Sequence, residues 1–216
     1  MEISIESIIN LFTEKGSQMY GTEPVTQLEH ALQCATLAEE ACQSNEMITA
    51  CLLHDMGHLI HDLGINPTIK GIDDQHEQRA LPILRELFEP AVTEPIRLHV
   101  AAKRYLCAIS PDYWEKLSNE SKRSLELQGG IFSWEAASRF IRQPCAKQAV
   151  QLRMYDDQAK VSNKPTASLS HFTQYMNVCL RTANSYQLTV NSYQLPIGLN
   201  LSCQFNVSFH CFVWYF

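Results

Sequence analysis

The 216-residue chain has no excess of positive charge: 17 lysines and arginines against 23 aspartates and glutamates give a formal charge of −6. A general binder of nucleic acid or of anionic membranes needs a basic surface to displace counterions or meet headgroups, so neither is expected as a partner. Long apolar runs are also missing, which argues against a membrane-spanning helix. The opening Met1-Glu2-Ile3-Ser4-Ile5-Glu6 has no basic stretch leading into an apolar one, so no secretory signal is expected and the expected location is the cytoplasm. The eight cysteines include no Cys-x-x-Cys pair; they read as reduced and mostly buried rather than as a disulfide framework. What is there, 45% hydrophobic and 19% charged residues, suffices for a globular core without help from disulfides, and a monomer is expected.

Charge also disappears along the chain. No Lys, Arg, Asp or Glu follows Arg181, and Asn184-Ser185-Tyr186-Gln187-Leu188 recurs as Asn191-Ser192-Tyr193-Gln194-Leu195 before an uncharged aromatic end, Phe209 to Phe216. This divides the chain into a domain over residues 1–182 and an atypical, repeat-bearing tail over 183–216. The tail lacks the flanking charges of a coiled coil and is rich in β-formers. It reads as an accreted extension, with a β-hairpin as the alternative.

Before the tail the pattern is helical. Leu28, Ala31, Leu32, Ala35, Ala38 and Cys42 recur at spacings of three and four, which predicts an amphipathic helix over 26–43 with Thr26 or Thr22 as its cap. A nearly all-apolar helix from residue 45 to His54 is predicted to lie centrally and to stop at Gly57. Further helices are expected near 74–87, 91–108, 118–128, 134–142, 146–155 and 168–183. The fold class is therefore all-α, a helical bundle with an irregular stretch at 66–71.

Six of the eight histidines fall in the first half, and His30, His54, His76 and His99 sit on four different predicted helices at steps of 24, 22 and 23 residues. One helix plus one turn can return a bundle chain to the same depth. A lone buried histidine is more often a hydrogen-bonded core residue than a ligand, and His61, His171 and His210 read that way. Four imidazoles with the Asp55 carboxylate in one apolar interior would cost several kcal/mol unless a metal compensates. Ligands of nitrogen and oxygen without thiolate favour iron, manganese or zinc.

His30, His54-Asp55 and a later aspartate resemble the HD-domain superfamily of helical metal-dependent phosphohydrolases, a few members of which are oxygenases. Gln27-Leu28-Glu29-His30, Leu53-His54-Asp55-Met56-Gly57-His58, His76-Glu77, His99-Val100-Ala101-Ala102-Lys103-Arg104-Tyr105-Leu106, Leu125-Glu126-Leu127-Gln128-Gly129-Gly130 and Arg153-Met154-Tyr155-Asp156 narrow it. Over about 20–175 the chain is similar to the diiron oxygenases of the PhnZ type, which cleave the carbon–phosphorus bond of organophosphonates. The resemblance implies two iron ions, Fe(II) and Fe(III), with O2 as co-substrate. His30, His54, Asp55 and Asp156 would hold one iron and Asp55, His76 and His99 the other, with Asp55 bridging. The family has Trp where Tyr155 precedes Asp156, which leaves Asp157 as the substitute.

The same resemblance implies that Tyr20 caps the open iron until substrate displaces it and that Glu23 meets a substrate amine. It assigns His58, Lys103, Ser121 and Arg153 to the phosphonate of a small-molecule substrate. Helical spacing points Lys103 and Arg153 to the side of His99 and Asp156, and Ser121 falls in the first turn of a helix if Ser118 caps it. The activity implied is oxidation of an α-hydroxyphosphonate, with 2-amino-1-hydroxyethylphosphonate giving glycine and phosphate as the first substrate and a trimethylammonium analogue as its neighbour. The rival activity is a metal-dependent phosphohydrolase or phosphodiesterase, and a helical module with a structural metal is the reading from another class.

Overall fold

A computed structural model describes residues 3–181 other than 62 and 65; the tail expected over 183–216, with its repeat and aromatic end, lies outside the described residues. All the regular structure described is helical: α1 (Ile5–Lys15), α2 (Gln27–Glu40), α3 (Asn45–Leu53), α4 (His76–Arg79), α5 (Leu81–Leu87), α6 (Pro90–Ile109), α7 (Pro111–Lys116), α8 (Asn119–Leu127), α9 (Trp134–Phe140), α10 (Ala146–Gln158) and α11 (Leu169–Val178). Two 3-10 turns, Met56–Leu59 and Pro67–Lys70, follow α3. No described helix is long and apolar enough to cross a membrane.

The centre is α3. Every residue from Met47 to Leu53 is buried, with α2, α6, α10 and α11 packed around it. The main core joins Ile8 and Phe12 of α1, the Ala31, Cys34, Ala35 and Ala38 stripe of α2, Leu152 of α10 and Phe172 and Met176 of α11. A second cluster, Leu98, Ala102, Phe140, Ala146 and Ala149, holds α9 and the start of α10 against α6. Burial of these side chains contributes about 1.5–3 kcal/mol for each large one, so the bundle is held chiefly by its apolar stripes.

Caps set where the elements begin. Thr26, not Thr22, caps α2: its hydroxyl accepts from the Glu29 N–H while the Glu29 carboxylate accepts from the Thr26 N–H. Ser118 caps α8 by accepting from the Ser121 N–H, which places Ser121 in that helix's first turn.

The structure departs from expectation in several places. The helix expected over 74–87 breaks at Ala80 into α4 and α5, because Pro82 has no N–H to continue the ladder. Helices α1 and α7 were not anticipated, and α11 stops at Val178 rather than near residue 183. Helix α3 ends before Gly57, which sits inside the 3-10 turn at Met56–Leu59. Its reason to be glycine is close approach, since a Cβ there would lie 2.0 Å from the His76 carbonyl oxygen. Of the six described cysteines none is in a disulfide, but only Cys34, Cys51 and Cys107 are buried.

Candidate metal centre

Five elements converge on one buried cluster. His30 comes from α2, His54 and Asp55 from the end of α3, His76 from α4, His99 from α6 and Asp156 from α10; His30, His54 and Asp156 are fully excluded from solvent. Helix α10 runs three residues beyond the expected end, so Asp156 lies within it and Arg153 one turn earlier on the same face.

Each imidazole is fixed by its far nitrogen. The Nδ1 of His30 lies 2.8 Å from the Ala159 carbonyl, that of His54 2.9 Å from the Cys51 carbonyl, and that of His99 2.7 Å from the Ile96 carbonyl. A carbonyl can only accept, so Nδ1 carries the proton in all three and Nε2 is turned inward. The Nδ1 of His76 lies 2.9 Å from the Asp74 carboxylate, with the same result.

The inward atoms then meet at close range. The Nε2 atoms of His30 and His54 are 3.2 Å apart, and those of His76 and His99 are 3.1 Å apart. Asp55 stands between the pairs: one oxygen faces His30 and His54 at 3.4 and 3.2 Å, and the other faces His76 and His99 at 3.3 and 3.5 Å. Both Asp55 oxygens and one of Asp156 are buried without a hydrogen-bond partner. Such groups are costly unless a cation lies among them.

The titration of the cluster makes the same demand. Burial would lower His54 and His76, but Asp55 above all outweighs it and raises them to about 10 and about 9. Burial and then the charge of His76 push His99 down. His30, His54, Asp55 and Asp156 form one group able to hold a metal ion, and Asp55, His76 and His99 form another. The donor set is nitrogen and oxygen alone, and Asp55 offers one oxygen to each group, so the residues fit a pair of metal ions.

A cavity of about 600 Å³ adjoins the cluster, lined by Tyr20, His58, His76, His99, Lys103, Ser121, Arg153 and Lys160 among others. Tyr20 lies on a tight turn: its N–H donates to the Val25 carbonyl, and Gly21 takes the left-handed conformation at φ +57°. Its ring stacks on His30 at 4.0 Å. Burial, then the Asp55 carboxylate, holds the phenol well above its usual range, so it stays protonated. His58 stacks on His76 at 4.0 Å and its Nδ1 lies 2.6 Å from Asp74. His61 approaches the same carboxylate at 3.3 Å.

The cationic wall is formed by Lys103, Arg153 and Lys160. Lys103 is 3% exposed and donates to the Ser124 hydroxyl at 2.8 Å. Burial, then the charge of Arg153, brings its pKa down to about 7. Arg153 bonds Asp156 at 2.6 Å, also bonds Asp157, and reaches Ser121 at 3.4 Å. Asp157 is held by Arg153 and Tyr113; Asp156 is the aspartate that meets the histidines.

Three of the groups at this site gave little signal in the sequence. Asp74 precedes His76 by two residues and holds three imidazoles, a role visible only once His58, His61 and His76 are adjacent. Tyr113 sits on a six-residue helix with no apolar period. Lys160 follows Asp156 by four residues, but α10 has already ended at Gln158, so helical spacing does not place it.

A helical bundle that gathers a His, a His-Asp pair and a later Asp in one cluster is the architecture of HD proteins, and residues 28–128 match the family model described as HD domain. The chain is 42% identical over 177 residues to hydroxymethylphosphonate dioxygenase of Gimesia maris, covering 82% of this chain and 88% of the relative. It is 39% identical over 168 residues to 1-hydroxy-2-(trimethylamino)ethylphosphonate dioxygenase (glycine-betaine-forming) of Leisingera caerulea, covering 78% and 86%. The chain belongs to the HD-domain dioxygenases of the PhnZ type.

Proposed function

We propose that the protein is an iron-dependent oxygenase that cleaves the carbon–phosphorus bond of an α-hydroxyphosphonate. The observation that carries this reading is Asp55, with one oxygen turned to each pair of imidazoles and neither oxygen otherwise bonded, beside a cavity walled by Lys103, Ser121 and Arg153. His30, His54, Asp55 and Asp156 would hold one iron, and Asp55, His76 and His99 the other. When bound, the pair supplies Lewis acidity for the substrate oxygens and the redox chemistry that O2 requires.

The chain's own residues orient the substrate. Lys103, Ser121, Arg153 and His58 seat the phosphonate, which fixes the C1–H bond toward the metal cluster. Tyr20, stacked on His30 and protonated, covers the cluster's cavity side and gives way to the substrate. The overall change converts R–CH(OH)–PO3²⁻ and O2 into R–COO⁻, HPO4²⁻ and H⁺: the C–P bond breaks, C1 is oxidised, and both atoms of O2 end in the products.

The substrates to compare are 2-amino-1-hydroxyethylphosphonate and the hydroxymethyl and trimethylamino compounds that name the relatives. Iron-loaded protein is incubated with each, with and without O2, and phosphate and the carboxylic acid are followed; oxygen-dependent release of both together is the expected result. Phosphate released from phosphoesters without O2, and none from hydroxyphosphonates, would replace this reading by a hydrolase.

A further inference from the structure

Lys160 is placed by a segment strapped to α2. The Ala159 carbonyl anchors His30, and Val161 exchanges two hydrogen bonds with the Gln33 side chain, at 2.9 and 3.1 Å. Between them, the Lys160 ammonium enters the cavity. It lies 3.1 Å from the Ser121 hydroxyl, 3.2 Å from the Glu23 carboxylate and 5.6 Å from the centre of the Tyr20 ring. Its side chain is 12% exposed and that of Glu23 11%. Lys160 lines the cavity, whereas Glu23 is not among the lining residues.

The charges around Ser121 give that placement a use. A phosphonate dianion needs net positive charge, and the guanidinium of Arg153 is already matched by Asp156 and Asp157. Lys103 supplies one cation, which donates to the neutral Ser124 hydroxyl. Lys160 is the other cation on the Ser121 side, and it faces one carboxylate, Glu23, at 3.2 Å, where Arg153 faces two.

We propose that Lys160 belongs to the phosphonate seat and that Glu23 is the positioning residue that holds it there. The inference rests on the oxygenase reading for its substrate. It makes Glu23 matter for a substrate that has no amine, because Glu23 acts through Lys160 and not by contact with the substrate's side group.

Hydroxymethylphosphonate, which has no amine, is the discriminating substrate, and methylphosphonate, which lacks the hydroxyl, is the binding probe. With iron-loaded full-length protein, Lys160→Met is expected to raise KM for hydroxymethylphosphonate roughly thirtyfold with a smaller change in kcat, and to weaken methylphosphonate binding in calorimetry to match. Glu23→Gln is expected to raise the same KM about fivefold, and the double variant to be no worse than Lys160→Met alone. Lys160→Arg, which keeps the charge, should recover most of the affinity and so separates lost charge from lost folding. Wild-type KM in Glu23→Gln for hydroxymethylphosphonate, multiplicative losses in the double variant, or unchanged methylphosphonate binding in Lys160→Met would overturn the proposal. A wild-type protein that binds methylphosphonate yet oxidises no hydroxyphosphonate would sink the oxygenase reading instead, and the binding comparison would still decide the role of Lys160.

Discussion

The two ends of the site are built differently. At the proposed metal end, three of the four clustered imidazoles are fixed by backbone carbonyls of Ala159, Cys51 and Ile96, and the cluster is buried. At the proposed substrate end, the partly exposed Tyr20, Glu23 and Lys160 and the buried Ser121 are held by side chains touching one another. Backbone anchors move only if helices move, whereas side-chain pairs can exchange one partner for another. The difference teaches that the metal end tolerates little change while the substrate end can adjust to different hydroxyphosphonates on the same scaffold.

The largest test of that contrast is Asp55→Ala. It removes the group shared by both ion-holding sets, so metal content measured by elemental analysis should fall for both ions and turnover should drop by roughly a thousandfold or more. Retention of one full equivalent of metal would mean that the two sets are independent. Asp74→Ala comes next. It frees the Nδ1 of His76, the one imidazole of the four fixed by a side chain, and metal affinity should fall by about 10–100-fold in competition with a chelator while the helical content is kept.

A milder effect belongs to the substrate end. With its pKa brought down to about 7, Lys103 is charged below that pH and loses its proton above it. The affinity it gives the phosphonate is therefore present at lower pH and lost as pH rises through 7. KM should climb roughly fivefold from about pH 7 to 8, and Lys103→Arg, which holds its proton throughout, should flatten the climb. An unchanged slope in that variant would assign the dependence to another group.

Legibility in the sequence followed the same division. The stripe on α2 and the apolar α3 were readable because a 3.6-residue period and a capping box are local signals. The histidines and Asp55 could be grouped because the fold returns to one depth at nearly equal steps. Helix α1 carries an equally local signal, Ser4 as cap and Ile8 and Phe12 buried one turn apart, yet a reading confined to targeting signals passes over it. The break at Ala80 needed attention to Pro82, which has no N–H to continue the ladder. Asp74 and Lys160 lay beyond any local rule, because each acts through partners brought near only by tertiary packing: Lys160 meets a Glu23 that is 137 residues away.

That separation also bears on how the protein is made. His30 and the Ala159 carbonyl that orients it are 129 residues apart, so a nascent chain can present α2, α3 and α4 long before the first ion-holding set exists. Closing so long a loop is a late event in folding, and it cannot occur on the ribosome until α10 has emerged. An ion held by His30, His54, Asp55 and Asp156 would then seal a finished bundle rather than nucleate it. Uptake by that set during synthesis, as distinct from uptake by Asp55, His76 and His99, would report that both ends of the domain have met.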